Sequence, residues 1–334
     1  MRAKRYTYLL VIAVLLTNCS KNQTVKPGTK TTDIYIAGYS TNDKGNYTAT
    51  YWKNGNAITV ANYSTNGTLH AIAIDGNDVY VAGAYLATNG KQVAAYWKNG
   101  VITTLTDSTT DCYVWAMALQ GSDVYSVGYT TDANGKMTAT CWKNNIKTLL
   151  QGGLSNSEAR SIVVSGSEIY IAGYISNSPG VTAASYWKNG TNIVLDTDYG
   201  GSNAEGLAVS GTNILAAGYK GITATNWKNG VASSVTQASF IAAATFNGAD
   251  VLEAGVSDAP NGYSTATYWK NGAQTLLVEN PTNFSDALGI TVSGSDVYIC
   301  GDNFGGRATY WKNGMPIQLS TDISSAYSIV VVSH

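Results

Sequence analysis

The sequence predicts an all-β fold in which seven four-stranded units close into a ring. Three observations carry that expectation. A Trp-Lys-Asn-Gly motif places its tryptophan at Trp52, Trp97, Trp142, Trp187, Trp227, Trp269 and Trp311. The intervals of 45, 45, 45, 40, 42 and 42 residues suit one four-stranded unit of a cyclic repeat array. A second motif of the type Asp-Val-Tyr-Val-Ala-Gly ends at Gly38, Gly83, Gly128, Gly173, Gly218, Gly255 and Gly301, so two independent markers agree on the count. The third observation lies in the chain ends, where a strand missing from the first unit reappears after the last.

Within each unit four strands follow one another, called A to D. In the second unit they read as Leu69–Ile74, Asp78–Ala84, Val93–Lys98 and Val101–Leu105. Strands A and B turn at Asp75-Gly76-Asn77. Strands C and D turn at Asn99-Gly100, a pair that tolerates the positive φ of a type I′ hairpin. The B-to-C and D-to-A connections are longer and vary from unit to unit. The first complete strand, Asp33–Tyr39, is a B strand with no A strand before it, and Ala326–Ser333 is an A strand with no B strand after it. The C-terminal strand is therefore expected to complete the first unit, which leaves no open sheet edge between the chain ends.

These features specify a seven-bladed β-propeller of four-stranded blades, closed by the C-terminal strand completing the first blade. Over residues 33 to 333 the sequence resembles the repeat β-propellers, the group that includes WD40, kelch and related bacterial blade families. It lacks the Trp-Asp dipeptide of the first and the double glycine of the second. The resemblance implies architecture and says little about activity, because propellers host many functions.

Composition narrows the function classes. Charged residues make up 12% of the chain, and 20 Lys and Arg against 21 Asp and Glu leave a formal net charge of -1. No large basic field exists to attract phosphates, so nucleic acid is not expected as a partner. Beyond Cys19, the cysteines Cys112, Cys141 and Cys300 form an odd set that builds no disulfide framework and reads as small buried hydrophobes.

The N-terminus carries Arg2, Lys4 and Arg5, an apolar run from Tyr8 to Leu16, and then Leu16-Thr17-Asn18-Cys19. The layout is that of a secretory signal, and the apolar run is too short to span a bilayer. The Leu-x-x-Cys ending resembles the lipobox of bacterial lipoproteins, which implies cleavage before Cys19 and lipidation of that thiol. The expected organisation is a signal peptide over 1–18, a lipidated cysteine and flexible tether over 19–32, and the propeller over 33–334. Ser20 stands where an aspartate would, by the same resemblance, favour inner-membrane retention. The expected location is thus the outer membrane, periplasmic or surface-exposed, with the membrane touched through the lipid alone.

Repeated residues read as construction. Seven tryptophans in strand C, each preceded three residues earlier by a fixed alanine (Ala49, Ala94, Ala139, Ala184, Ala224, Ala266, Ala308), suit a large indole buried between blades with its N–H hydrogen-bonded. The motif lysines face Asp33, Asp78, Asp123, Glu168, Asp250 and Asp296 across the tight turns, a solvated ring of alternating charge.

Unrepeated residues are where function is sought. The residue 13 positions before each marker glycine enters strand A nearest the channel mouth: His70, Trp115, Arg160, Glu205, Ala242 and Leu288, with Tyr327 from the closing strand. The next residues inward are uniformly small: Ala71, Ala116, Ser161, Gly206, Ala243, Gly289 and Ser328. A varied polar and aromatic ring above a monotonous wall is what a ligand-binding mouth requires. Tyr113 shares a strand face with Trp115, and nearby connections add Tyr199, Phe240, Phe284 and Asp286. The candidate ligand-binding set is His70, Tyr113, Trp115, Arg160, Tyr199, Glu205 and Tyr327.

Chemistry is sparse. His70 and His334 are the only histidines, and no nucleophile elbow, zinc spacing or phosphate-cradling motif occurs. Asp196-Thr-Asp198-Tyr-Gly-Gly201 starts like a calcium loop, but its twelfth residue is Leu207 where a bidentate glutamate is needed. No cofactor or metal is expected. The first functional expectation is a membrane-anchored binding module presenting a variable face to a glycan or a protein partner. A structural or assembly lipoprotein is the alternative, and a polysaccharide-active enzyme using the loop acids Glu158, Glu205, Asp196 and Asp198 is the third.

Overall fold

The tight C-to-D turns form where two consecutive residues accept the left-handed region. In the second blade Asn99 and Gly100 have φ of 50° and 81°, the signature of a type I′ turn whose twist matches that of its strands. The asparagine does more than turn. Its Oδ1 accepts the Val79 N–H at 2.9 Å and its Nδ2 donates to Asp78 at 2.8 Å, while Lys98 pairs with the same carboxylate at 2.7 Å. This clamp of acid, lysine and asparagine recurs in every blade except the fifth, where Asn213 replaces the acid.

The computed structural model describes residues 31–60, 66–258, 262–278, 282–303 and 305–334. The segment expected to be a signal peptide, Cys19 and nearly all of the expected tether lie outside the described residues. Within them, 28 strands form seven antiparallel four-stranded sheets. Six sheets run A-B-C-D in chain order, and the seventh is ordered Ser324–Ser333, Thr32–Thr41, Tyr47–Lys53, Asn56–Thr59. The C-terminal strand thus pairs antiparallel with the first one, from Thr32 opposite Ser333 to Ser40 opposite Ser324. Each A strand also touches the A strands of the blades before and after it, and the last of these contacts joins Ser324–Ser333 to Gly67–Asp75. That cyclic order makes the fold a seven-bladed β-propeller with the A strands innermost.

The apolar core is divided into seven clusters, one per blade interface, and each contains one motif tryptophan. Trp97 of blade two packs in one cluster with Ala49 of blade one, Trp142 with Ala94, and Trp187 with Ala139. Trp227 meets Ala184, Trp269 meets Ala224, Trp311 meets Ala266, and Trp52 meets Ala308. The repeated alanine is small because the next blade's indole needs its space. All seven indoles are at most 1% exposed. Cys112 and Cys300 are buried and unpaired, and Cys141 is partly buried.

One expectation fails here. Of the seven motif indoles, only that of Trp187 finds an acceptor among the described residues, the Gln151 carbonyl at 2.6 Å. The other six indole N–H groups have no acceptor among the described residues. Blade four differs because the connection entering it carries Gly152 and Gly153, whose φ of 142° and 73° fold the chain against Ile175, Asn192 and Ser176. A carbonyl is thereby brought to the indole. Among the described residues, packing alone is seen to hold the other six tryptophans.

Seven interfaces in series mean that opening one edge should loosen the ring as a whole. Deleting residues 324–334 exposes the edges of the first blade. The truncated chain is expected to melt at least ~5 °C below the full one by circular dichroism. Unchanged melting would show that the closing strand carries no weight.

Candidate functional site

Each residue of the mouth ring owes its position to a break in the A–B ladder. Pairing slips by one residue between Leu69 and Ala71, Val114 and Ala116, Ala159 and Ser161, Ala204 and Gly206, Ile241 and Ala243, and Ala287 and Gly289. The same slip separates Ala326 from Ser328 in the closing strand. The extra residues are therefore His70, Trp115, Arg160, Glu205, Ala242, Leu288 and Tyr327, each a β-bulge that re-aims a side chain. All seven line one cavity of about 430 Å³ at the channel mouth. Below them the small inner residues and Met117, Ile162, Leu207, Ile290 and Ile329 form the narrowing floor.

The marker glycines stand opposite the bulges. A Cβ built on Gly83 would overlap the Thr68 carbonyl oxygen, and on Gly128 that of Tyr113. The other five meet the corresponding carbonyls of Ser325, Glu158, Asn203, Phe240 and Asp286. These glycines have ordinary negative-φ backbone and are required by space alone.

Blades one to three build an aromatic wall. The His70 ring stacks on Tyr327 with centroids 4.3 Å apart and meets Trp115 edge-on at 4.7 Å. Its Nε2 lies 3.1 Å from both the Tyr113 hydroxyl and Thr68 Oγ1, which are 2.6 Å from each other. Burial beneath these rings, with Arg160 nearby, lowers the His70 pKa to about 3. The imidazole is neutral at physiological pH and serves as a fixed polar plate.

Blades three to five build a charged wall. Arg160 lies over the Trp115 ring, its Cζ 4.5 Å from the centroid, and its Nη2 is 3.0 Å from Glu158 Oε2. Trp115 Nε1 donates to Glu158 Oε1 at 2.5 Å. The Arg160 Nε–H is 3.7 Å from Glu205 Oε2, beyond hydrogen-bond reach, and has no acceptor among the described residues. Asn203 donates to Glu205 Oε1 at 2.6 Å. Burial raises the Glu205 pKa, and Glu158 adds to the rise while Arg160 opposes it. On the far side Ala242, Leu288 and Phe240 carry no charge and leave the mouth its free space.

The sequence-predicted set thus divides. His70, Trp115, Arg160, Glu205 and Tyr327 line the mouth, and Tyr113 stands directly behind them. Tyr199 does not line it. With φ of 50° it belongs to a turn wound around buried Asp196 and packs on the apolar cluster between blades three and four. Asp196 is occupied by Lys220 Nζ at 2.7 Å, Ser202 Oγ at 2.7 Å and the Gly200 N–H at 3.0 Å. Glu158 and Glu205, expected in loops, lie in the strands Ser157–Ser165 and Ser202–Ser210. Both converge on Arg160, and both Glu158 oxygens are engaged, one by Arg160 and one by Trp115.

Two residues that sequence reasoning missed are Thr68 and Asp302. Asp302 pairs across the ladder with Asp286 and accepts from Ser325 at 2.9 Å. Burial, with Asp286 adding, raises it to about 6. For Thr68 the signal was available: two residues before each bulge stand Thr68, Tyr113, Glu158, Asn203, Phe240, Asp286 and Ser325, a second unrepeated ring.

No protein-family model matches the chain, and no curated protein matches it. Among solved structures, it is similar to the computationally designed Ika8 protein at 18% identity. That likeness covers 89% of this chain and 93% of the other, with a TM-score of 0.48. The fold rests on the seven sheets and their cyclic order.

The His70 environment has a measurable consequence. A histidine whose pKa falls on folding is fully accommodated above the unfolded value near 6.5, and its contribution is lost as pH falls from there toward about 3. The stability of the wild-type chain between pH 7 and pH 4 is expected to fall more steeply than that of His70→Gln in urea titrations. Parallel curves would show that His70 protonates freely in the folded chain.

Proposed function

We propose that the propeller is a binding module of the bacterial cell envelope, held by a lipid on Cys19, that takes a glycan at the channel mouth. The observation that carries the reading is the Arg160–Glu205 ion pair in a concave mouth, held too far apart for the Arg160 Nε–H to be hydrogen-bonded. A sugar hydroxyl can accept from this donor while donating to the adjacent Glu205 carboxylate. Trp115 and Tyr327 supply the ring faces on which sugars pack, with the neutral His70 plate between them. The apolar side at Ala242 and Leu288 gives the room. A concave site of mixed chemistry suits a small ligand or chain end, whereas a protein partner would favour a broader apolar patch.

A glycan array probed with the full chain in detergent tests the proposal, followed by two tryptophan variants. Trp187→Ala is expected to cost ~3–5 kcal/mol of stability as a large core deletion. Trp115→Ala is expected to cost less stability and to weaken glycan binding by ~2 kcal/mol or more. Equal destabilisation by both, with affinity per folded molecule unchanged by Trp115→Ala, contradicts a site at the mouth. For the anchor, Cys19→Ala is expected to abolish palmitate incorporation and release the protein from membranes. Retained labelling would reject it.

A further inference from the structure

A second site lies away from the mouth, between blades five and six, where two departures from the repeat meet. The position two residues before the marker glycine is buried in every blade. Ile36, Val81, Ile171 and Ile299 hold it in blades one, two, four and seven, and Ser126 and Ala216 in three and five. In blade six it is Glu253, a carboxyl only 1% exposed. The facing position, just before the motif tryptophan, is tyrosine in five blades (Tyr51, Tyr96, Tyr186, Tyr268, Tyr310) and Cys141 in blade three. In blade five it is Asn226.

Replacing tyrosine by asparagine opens space, and the structure holds a cavity of about 250 Å³ there, lined by both departures. Asn226 hydrogen-bonds the Glu253 carboxyl, which lowers its pKa against a larger rise from burial. Glu253 Oε1 and Asn226 Oδ1 are nevertheless both buried and without a partner among the described residues. Two unpartnered acceptors in one cavity call for a group with several donors, and a buried carboxyl without its counter-charge is costly to retain.

The cavity rim carries the opposite chemistry. Lys228 is the motif lysine of blade five, where Asn213 has replaced the usual acid and Leu215 the usual aromatic residue. Among the described residues it is the one motif lysine with no carboxylate within 4.0 Å. It lines the same cavity together with the hydroxyls of Ser233, Ser234 and Thr236. Acceptors lie inside and a cation with hydroxyl donors lies outside.

We infer that this inter-blade cavity binds a small zwitterion of the α-amino acid type. The ammonium points inward to Glu253 Oε1 and Asn226 Oδ1, and the carboxylate points outward to Lys228 and the serine hydroxyls. A bare amine satisfies only the inner half and a bare carboxylate only the outer. The site shares no residue with the channel mouth and stands whether or not the mouth binds a glycan.

Isothermal titration of the full chain in detergent with L-alanine, methylamine and acetate tests the inference. Alanine is expected to bind saturably, and the two half-ligands to bind at least about tenfold more weakly. Glu253→Gln and Lys228→Met should each weaken alanine by about tenfold or more, while Arg160→Ala at the mouth leaves it unchanged. Should Glu253→Gln fail to fold, the double variant Asn226→Tyr with Glu253→Ile restores the residues of the other blades. It is expected to fold at least as well as wild type and to lose alanine binding. Absence of saturable alanine binding, methylamine binding as tightly as alanine, or retention of alanine by the double variant would each overturn the inference.

Discussion

The carbonyl oxygen that each inner strand pushes toward the neighbouring strand B is the contact on which the molecule's functional face depends. It occupies the volume where any residue but glycine would place its Cβ, at Gly38, Gly83, Gly128, Gly173, Gly218, Gly255 and Gly301 alike. Because the oxygen has that space, strand A accommodates one extra residue without losing its ladder. The extra residue explains a spacing that regular strands do not show. Leu69 and Ile72, three apart, are both buried in one interface, as are Val114 and Met117, and Ala159 and Ile162. A side chain is thus supplied to the mouth in every blade at no expense to the core.

Construction and specialisation are consequently separated along each strand. The indole of one blade and the alanine of the blade before it interlock, and the acid, lysine and asparagine of the tight turns fix the opposite end. Those elements repeat. The bulge residue and the residue two before it are free to vary, and their variation gives the mouth an aromatic wall, a charged wall and an open apolar side. His70 shows how far the variation goes, since a titratable side chain is there made neutral by the rings that cover it.

Periodicity made the architecture legible. Two markers counted the blades, and the unpaired strands at the two chain ends announced the closure between Thr32–Thr41 and Ser324–Ser333. Counting back from the marker glycine also found six of the mouth residues, and the closing strand supplied the seventh, Tyr327. What it could not reveal was that they are insertions, because a bulge is a relation between two strands and leaves no mark in either one alone. Tyr199 was misplaced since a left-handed turn around Asp196 governs its direction. The indole N–H groups were expected to find acceptors, yet among the described residues only that of Trp187 does, and the other six are seen held by packing. Glu158 and Glu205 read as loop acids because strand A extends further toward the mouth than its apolar residues indicate.

Blade six tests the glycine–bulge relation most directly, since its extra residue is Ala242 and deleting it removes almost no side chain. Gly255→Ala alone should cost ~2 kcal/mol or more, because the new Cβ meets the Phe240 carbonyl. Combined with deletion of Ala242, which restores a regular ladder, the same substitution should cost at least ~1 kcal/mol less in urea unfolding. Strict additivity of the two changes would contradict the dependence of the marker glycine on the bulge.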